Sequence, residues 1–582
     1  MPSGSAIPTG HSTLPENGRY KILPQYHSQP SQLRVICVGA GAAGILVAYR
    51  MQKELKNYEL VCYDKNPRVG GTWYENRYPG CACDLPAHAY VFPFEPNPEW
   101  SEFYASGPEI LAYLENFVNK YRLQPFIKLN SRIIGANWDE ERGIYEVEVE
   151  TGGEKIKDWC HVFINGAGFL NDWKWPNIPG LHSFKGKLMH SAAWDPSVDY
   201  RDKKVAIIGT GSSAIQILPE LQKGAAQVVT FMRSPTWIYP SIASDMLDSS
   251  ITSGQGKKAE DRKEQYVYSE EEKKRFREDP DFLLQYRKDI EVRANDSYDL
   301  FLKGTQSLEN LRRLLIDNMN DRIGPGHEEL KKAVIPSWSP GCRRVTPGPG
   351  YLEALTMPNV LPVHRGIKSV VPEGIIDDAG EVYNVDIVVC ATGFNIAFAP
   401  RFPIRGVNGV TMSDEFDPEP KVYLALTVPK FPNYFVVNGV RGNWAVGSVL
   451  VSHDMQVEYI VQCMKRMQQE GIKALEVRPE PIDELYEHIV SDEFHRNSVW
   501  SDDCSSWYKN GVKDGKVWIW GGSGFHYFKT IKTVRWEDYQ FRYHRKNRWA
   551  FLGNGWTEEQ YTHDRARLAP YVRNEDRYWD FE

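Results

Sequence analysis

Two glycine-rich turns carry the first readable chemistry. GAGAAG places Gly39, Gly41 and Gly44, and GTGSSA places Gly209, Gly211, Ser212 and Ser213, each between a buried strand-like run and a helix-like run. Glycine permits the tight turn and lets backbone N–H groups at a helix N-terminus approach a pyrophosphate, so each turn predicts a dinucleotide site. Ala214 stands where the second copy would carry its third glycine, a change the fold tolerates. The strand after the first turn ends in Asp64, whose carboxylate can accept from ribose hydroxyls and repels a 2′-phosphate; that predicts FAD or NAD. The strand after the second ends near Arg233, whose planar fork suits a 2′-phosphate and predicts NADPH. Two such sites in one chain imply that electrons pass between them, and FAD is the acceptor that takes a hydride from NADPH and hands electrons on. A disulfide reductase needs a C-x-x-C pair, whereas the only close pair here is Cys81 with Cys83, so oxygen is the expected final acceptor.

Positioning these groups requires an α/β fold with two Rossmann-like dinucleotide-binding domains, for FAD and for NADP, and a helical insertion. Residues 1–32, with five prolines, read as an N-terminal arm. The first part of the FAD-binding domain is expected over 33–170 and the first part of the NADP-binding domain over 171–240. A densely charged, glycine-poor stretch with Leu308, Leu311 and Leu315 on one stripe predicts the insertion over 241–335, able to cap an interface between domains. The NADP-binding domain resumes over 336–385 and the FAD-binding domain over 386–530, where DIVVCATGF and FPNYFVVNGV read as buried strands; residues 531–582 form a wrapping tail. Ser106, Pro108 and Glu109 predict a capping box for a helix whose buried face is Ile110, Leu114, Phe117, Val118 and Tyr121.

A chain of 582 residues exceeds one hydrophobic core. Its 42% hydrophobic and 25% charged residues and net charge of -7 are those of a soluble globular protein and give no reason to expect nucleic acid. The longest apolar run holds the first glycine turn and is too short for a membrane span. Nine scattered cysteines, an odd number, predict buried thiols in a reducing, cytoplasmic setting, with no metal site. The oligomeric state has no signature.

Between the two turns lies FKGKLMHSAAWD, which is neither a helix stripe nor a plain linker. Its Phe184, Gly186, His190, Trp194 and Asp195 match the pattern F-x-G-x-x-x-H-x-x-x-W-D, and Gly70, Gly71, Trp73, Tyr78, Pro79, Gly80 and Asp84 match G-G-x-W-x-x-x-x-Y-P-G-x-x-x-D. On these motifs, with ATGF at Ala391–Phe394 and CSSWY at Cys504–Tyr508, the chain resembles the type I Baeyer–Villiger monooxygenases, class B flavin-dependent enzymes, over about residues 30 to 530. The resemblance implies an NADPH- and O2-dependent flavoprotein that converts a small-molecule ketone to an ester or lactone by way of a peroxyflavin. It further implies that Arg344, second of the basic pair Arg343–Arg344, stabilises the peroxide and the oxyanion formed on the ketone. Asp84 would hold Arg344; Arg343 stands where the family commonly has Lys at the 2′-phosphate, and Trp507 would hold the nicotinamide end near the flavin. For His190 a hydrogen-bonded hinge role is preferred to that of a general base, because the ketone reaction needs no base there. Two alternatives stay open: an N- or S-oxygenating flavin monooxygenase or NADPH oxidase, and a non-catalytic NADPH-binding redox sensor.

Overall fold

The computed structural model describes residues 20–240, 265–396, 398–442 and 447–576. The first 19 residues of the expected arm, the opening of the insertion at 241–264 and the last six of the tail lie outside the described residues.

Each glycine turn springs from its own five-stranded parallel sheet. In the first, the strand order is Tyr434–Val436, Val162–Asn165, Leu33–Val38, Tyr58–Tyr63, Ile127–Lys128. Leu33–Val38 is paired on both edges and buried at all six positions, which is why Val35–Val38 reads as a continuous apolar run instead of an alternating one, while Arg34 is buried in ion pairs with Glu59 and Asp158. In the second sheet the order is Val360–Val363, Gln227–Phe231, Lys204–Ile208, Ile387–Cys390, Lys187–His190. One feature here departs from expectation. Ile387–Cys390, expected in the returning FAD-binding part, pairs with Lys204–Ile208 and so belongs to the second sheet. The domain boundary therefore falls after residue 390 and not at 386. Lys187–His190, at the centre of the FKGKLMHSAAWD stretch, is the edge strand of the same sheet, in register with Ile387–Cys390.

Helix Gly107–Lys120 buries Ile110, Leu114, Phe117 and Val118 as its periodicity requires. Its capping box is not formed: Ser106 makes no side-chain cap, and Glu109 instead accepts from the Ser101 N–H and hydroxyl at 2.8 and 2.9 Å. The insertion joins two cores. Phe276, Leu283, Tyr286 and Ile290, on helices Glu270–Glu278 and Pro280–Asn295, pack into the core around the first sheet. Helix Gln306–Ile323 sends Leu315, Met319 and Ile323 into the second core, and Leu308 into a smaller cluster with Trp500 and Tyr508.

The tail contributes a strand: Tyr539–Tyr543 pairs antiparallel with Ile472–Val477. Beyond it the chain meets the arm, with His27 and Ser28 N–H groups donating to the Trp556 and Phe551 carbonyls. Among the described residues no helix is long and apolar enough to cross a membrane.

Gly186 sits where the chain enters the edge strand of the second sheet. A Cβ there would stand 2.3 Å from the Asp386 carbonyl and 2.5 Å from the Phe184 ring. Gly186→Ala is expected to destabilise the protein by about 1–3 kcal/mol, the usual range for overpacking a filled site. Thermal unfolding by calorimetry checks this, and an unchanged midpoint would contradict the packing argument.

Candidate active site

Both glycine turns leave helix N-termini open. Helix Ala42–Glu54 follows Gly41 and helix Ser212–Gln222 follows Gly211; neither has a side-chain cap or an acidic residue in its first turn. Their first N–H groups are thereby left for an anion. Glycine is enforced by close approach: a Cβ at Gly44 would lie 1.9 Å from the Gly39 carbonyl, and one at Gly209, whose φ is +130°, 2.3 Å from the Ala391 carbonyl. The loop that carries Gly70, Gly71 and Trp73 closes on the first turn, since a Cβ at Gly71 would come within 3.0 Å of Gly41 Cα. Trp73, on the same loop, donates its indole N–H to the Tyr90 hydroxyl at 3.1 Å. Asp64 is buried and accepts from the Ala40 N–H at 2.6 Å and the Asn66 N–H at 2.8 Å, one on each oxygen. Burial raises its pKa, against the pull of those two amides. Each oxygen keeps a further acceptor position, as ribose hydroxyls require.

The centre of the seam between the two sheets is a two-pronged ion pair. Arg344 Nε donates to Asp84 Oδ2 at 2.6 Å and Nη2 to Oδ1 at 2.7 Å. The Asp84 charge holds the Arg344 pKa well above its ordinary value in spite of burial. The arginine side chain is nevertheless 35% exposed. Asp84 is carried by a loop locked to the second unit. Tyr78 donates to Gln216 Oε1 at 2.8 Å, Gln216 Nε2 donates to the Ala82 carbonyl at 2.9 Å, and the Ser213 hydroxyl lies against the Tyr78 hydroxyl. Gly80, at φ +75°, has no room for a Cβ because the Gln216 carbonyl would be 2.4 Å away. Gln216 and Ser213 thus connect the domains, a role that nothing in their spacing signals.

Arg343 points the other way, toward the second glycine turn: Nη1 reaches the Pro235 carbonyl at 3.5 Å, and Nη2 would lie 3.9 Å from a Cβ on Gly211. Burial, and then the charge of nearby Arg233, lower its pKa. Arg233 itself is exposed. Two guanidinium groups that raise each other's cost beside an open helix N-terminus suit an anion with more charge than a diester. The Ser212 hydroxyl lies 3.0 Å from that of Thr346.

Trp507 is half-buried against Phe169, with ring centroids 5.5 Å apart, and against Tyr508 at 4.3 Å. Tyr508 is buried beside Arg344. This loop is tied to the arginine turn by an Asp502 Oδ2 that accepts from the Ser339 N–H at 2.6 Å, and by a disulfide between Cys342 and Cys504 with 6.3 Å between their Cα atoms. The bridge corrects the expectation that every cysteine is a buried thiol. Its partners are 162 residues apart and share no spacing signal. The other seven, Cys81 and Cys83 among them, are buried and unbonded.

The FKGKLMHSAAWD stretch lines the seam without joining the ion pair. Phe184 and Trp194 are packed into cores on the two faces of the second sheet. Asp195 pairs with Lys187 at 2.7 Å and accepts from Ser197, which lowers its pKa to about 2. His190 is buried, stacks on Trp173 at 4.5 Å, accepts the Ala192 N–H on Nδ1 and meets the Thr392 hydroxyl with Nε2 at 3.3 Å. Acceptance at Nδ1 places the ring proton on Nε2, as donor to Thr392. Burial pushes its pKa down to about 4.

Residues 37–106 match the NAD(P)-binding Rossmann-like domain family. The chain is 37% identical over 531 residues to the FAD-binding monooxygenase tazF of Aspergillus terreus, covering 90% of this chain and 92% of that one. It is 32% identical over 491 residues to a Baeyer–Villiger monooxygenase of Pseudomonas aeruginosa, covering 84% and 88%. In fold it is similar to the crystal structure of cyclohexanone monooxygenase from Rhodococcus sp. Phi1 bound to NADP+, with a TM-score of 0.74, 24% identity, and coverage of 88% of this chain and 100% of that one. The fold is that of a two-dinucleotide flavin monooxygenase. The chain belongs to the FAD-binding monooxygenases, in the type I Baeyer–Villiger family.

Because the folded state holds His190 neutral down to about pH 4 while the unfolded chain protonates near 6.5, this residue's contribution to stability is lost as pH falls across that window. His190→Gln removes the titration. The stability gap between wild type and variant is therefore expected to shrink from pH 7 to pH 4.5; calorimetric midpoints at intervening pH values test it, and a constant gap would show that His190 titrates alike in both states.

Proposed function

We propose that this FAD-binding monooxygenase uses NADPH and O2 to insert oxygen beside a ketone carbonyl, giving an ester or lactone, in the cytoplasm. The observation that carries the reading is the Asp84–Arg344 pair at the seam between the two dinucleotide modules, with the arginine side chain partly exposed. A sensor needs no fixed cation at that place, whereas an oxygen insertion develops negative charge that must be held.

The residues present fit both cofactors. FAD would lie on the Gly39–Gly44 turn, with its ribose at Asp64 and its ring system toward Gly71, Trp73 and Asp84. NADPH would lie on the Gly209–Ser213 turn, with its 2′-phosphate between Arg233 and Arg343. When bound, the flavin supplies hydride acceptance and the activation of oxygen. This chain's own residues do the rest. Arg344, kept charged and oriented by Asp84, stabilises the charge that develops on the carbonyl oxygen. Trp507 and Phe169 form an apolar wall that keeps water from the reacting end of the nicotinamide cofactor. His190, stacked and hydrogen-bonded, positions the junction between the second sheet and the chain crossing to the first, and moves no proton in the reaction.

Arg344→Ala is expected to retain bound FAD and its reduction by NADPH while losing ester formation by about 10²–10³-fold, the usual cost of removing one oxyanion donor. Product analysis with a cyclic ketone, an amine and a thioether measures this, and an unchanged ester yield would sink the assignment. Oxidation of the amine or thioether alone would favour the N- or S-oxygenating reading. Arg233→Ala should weaken NADPH by about 10- to 100-fold, the loss of a charged hydrogen bond, and leave NADH little changed. Equal losses in a cofactor titration would mean that the phosphate is read elsewhere.

A further inference from the structure

We propose that Cys342 and Cys504 are a reversible latch, a disulfide formed by hydroperoxide and opened by a dithiol, that holds the Trp507 loop on the arginine turn. Cys342 precedes Arg344 by two residues and Cys504 precedes Trp507 by three. The bond therefore links the two segments that carry the fixed cation and the aromatic wall. This inference rests on the oxygenase reading for its oxidant and for its consequence.

The way the loop is held supports the assignment. Its two ends are anchored in an apolar cluster, Val499 and Trp500 on one side and Val517 and Ile519 on the other, packed with Phe301 and Leu308. The stretch between is mixed. Tyr508 packs in the same cluster with Trp507 against it, whereas Asp503, Ser505 and residues 510–514 are exposed, Asn510 and Gly511 take positive φ, and hydrogen bonds at Ser339 and Arg344 tie the loop to the arginine turn. Packing and hydrogen bonds both let go when the loop lifts, so the disulfide is the one covalent tie between the two segments. Both sulfurs are at most 1% exposed. Once closed, the bond is shielded from a reductant, and it becomes reachable only when the loop lifts.

The chemistry balances without any group foreign to the reading. A flavin oxygenase that fails to deliver its oxygen releases hydrogen peroxide beside this loop. One thiolate attacks the O–O bond, leaving a sulfenic acid and releasing the first water. The second thiol displaces hydroxyl from that sulfur and releases the second. Two thiols and one hydrogen peroxide thus give one disulfide and two waters, with two electrons passing from sulfur to oxygen. Leakage would in this way tighten the loop that suppresses leakage. A dithiol reductant of a reducing compartment reverses the step by exchange.

The test uses the full-length flavoprotein, reduced with dithiothreitol, desalted, and divided into samples with and without a stoichiometric pulse of hydrogen peroxide. Denatured thiol counts are expected to fall from nine to seven, with peptide mapping joining Cys342 to Cys504. Trypsin cleavage after Lys509 and Lys513 should be about tenfold slower in the oxidised sample, as it tracks the population of the lifted loop. The share of NADPH electrons appearing as hydrogen peroxide should be several-fold lower in that sample. The double variant Cys342→Ser, Cys504→Ser should behave as the reduced protein in both samples. Nine thiols after the pulse would overturn the proposal, as would a joined pair with equal cleavage and equal leakage in the two states. Thiol count and cleavage are read without a ketone, so a failure to form ester would reject the oxygenase reading alone.

Discussion

The Asp84–Arg344 pair is the contact on which the site depends, because its halves come from different units of the fold. Asp84 stands at the end of a loop that belongs to the first unit, and Arg344 on a turn that leads into the second. A carboxylate that takes Nε and Nη2 fixes the plane of the guanidinium and leaves Nη1 outside the pair. Breaking such a pair by removing one member costs about 3–5 kcal/mol when both are fully buried, and less where one is partly open as here. The geometry is better suited to aiming a charge than to holding the fold. The fold is held by the apolar cores on either side.

That aim depends on the seam being rigid around the pair. Tyr78 and Gln216 bond across it a few residues from Asp84, and Gly80 lies so close to the Gln216 carbonyl that no side chain fits between them. Gly71 rests on Gly41 in the same manner. The second glycine helix therefore serves two purposes at once. Its N-terminus carries no side-chain cap, and its side grips the loop that carries Asp84. The helical insertion adds a brace, since one part of it packs on the first core and another on the second.

What could be read in the sequence follows from which constraints are local. The glycines of both turns, the buried face of Gly107–Lys120 and the stripe through Leu308 and Leu315 are demanded by backbone contact and helical period, and they are visible as such. Asp84 and Arg344, 260 residues apart, carry no local signal and were reached only through the motifs around them. Ile387–Cys390 was legible as a buried strand but not as a member of the second sheet, because a parallel strand covered on both faces looks the same in either. The Ser106 cap failed because Glu109 has a better partner in Ser101. The pairing of Tyr539–Tyr543 with Ile472–Val477, like that of Cys342 with Cys504, is set by tertiary approach, which no spacing encodes.

The FKGKLMHSAAWD stretch shows how a motif can matter without touching the reacting atoms. The chain crosses between the two sheets at residues near 172 and again near 394, and these crossings lie side by side: Trp173 and Phe394 form an antiparallel bridge, and the Asn395 N–H donates to the Asp172 carbonyl at 2.8 Å. His190 clamps both, stacking on Trp173 from one crossing and bonding to Thr392 at the start of the other. The two crossings are thereby joined to each other and to the edge strand of the second sheet. A cavity of about 340 Å3 opens beside them, walled by Lys65, Asn66 and Arg77 of the first unit and by Trp173, Trp194 and Phe394. The motif thus fixes the junction between the two sheets without touching the Asp84–Arg344 pair.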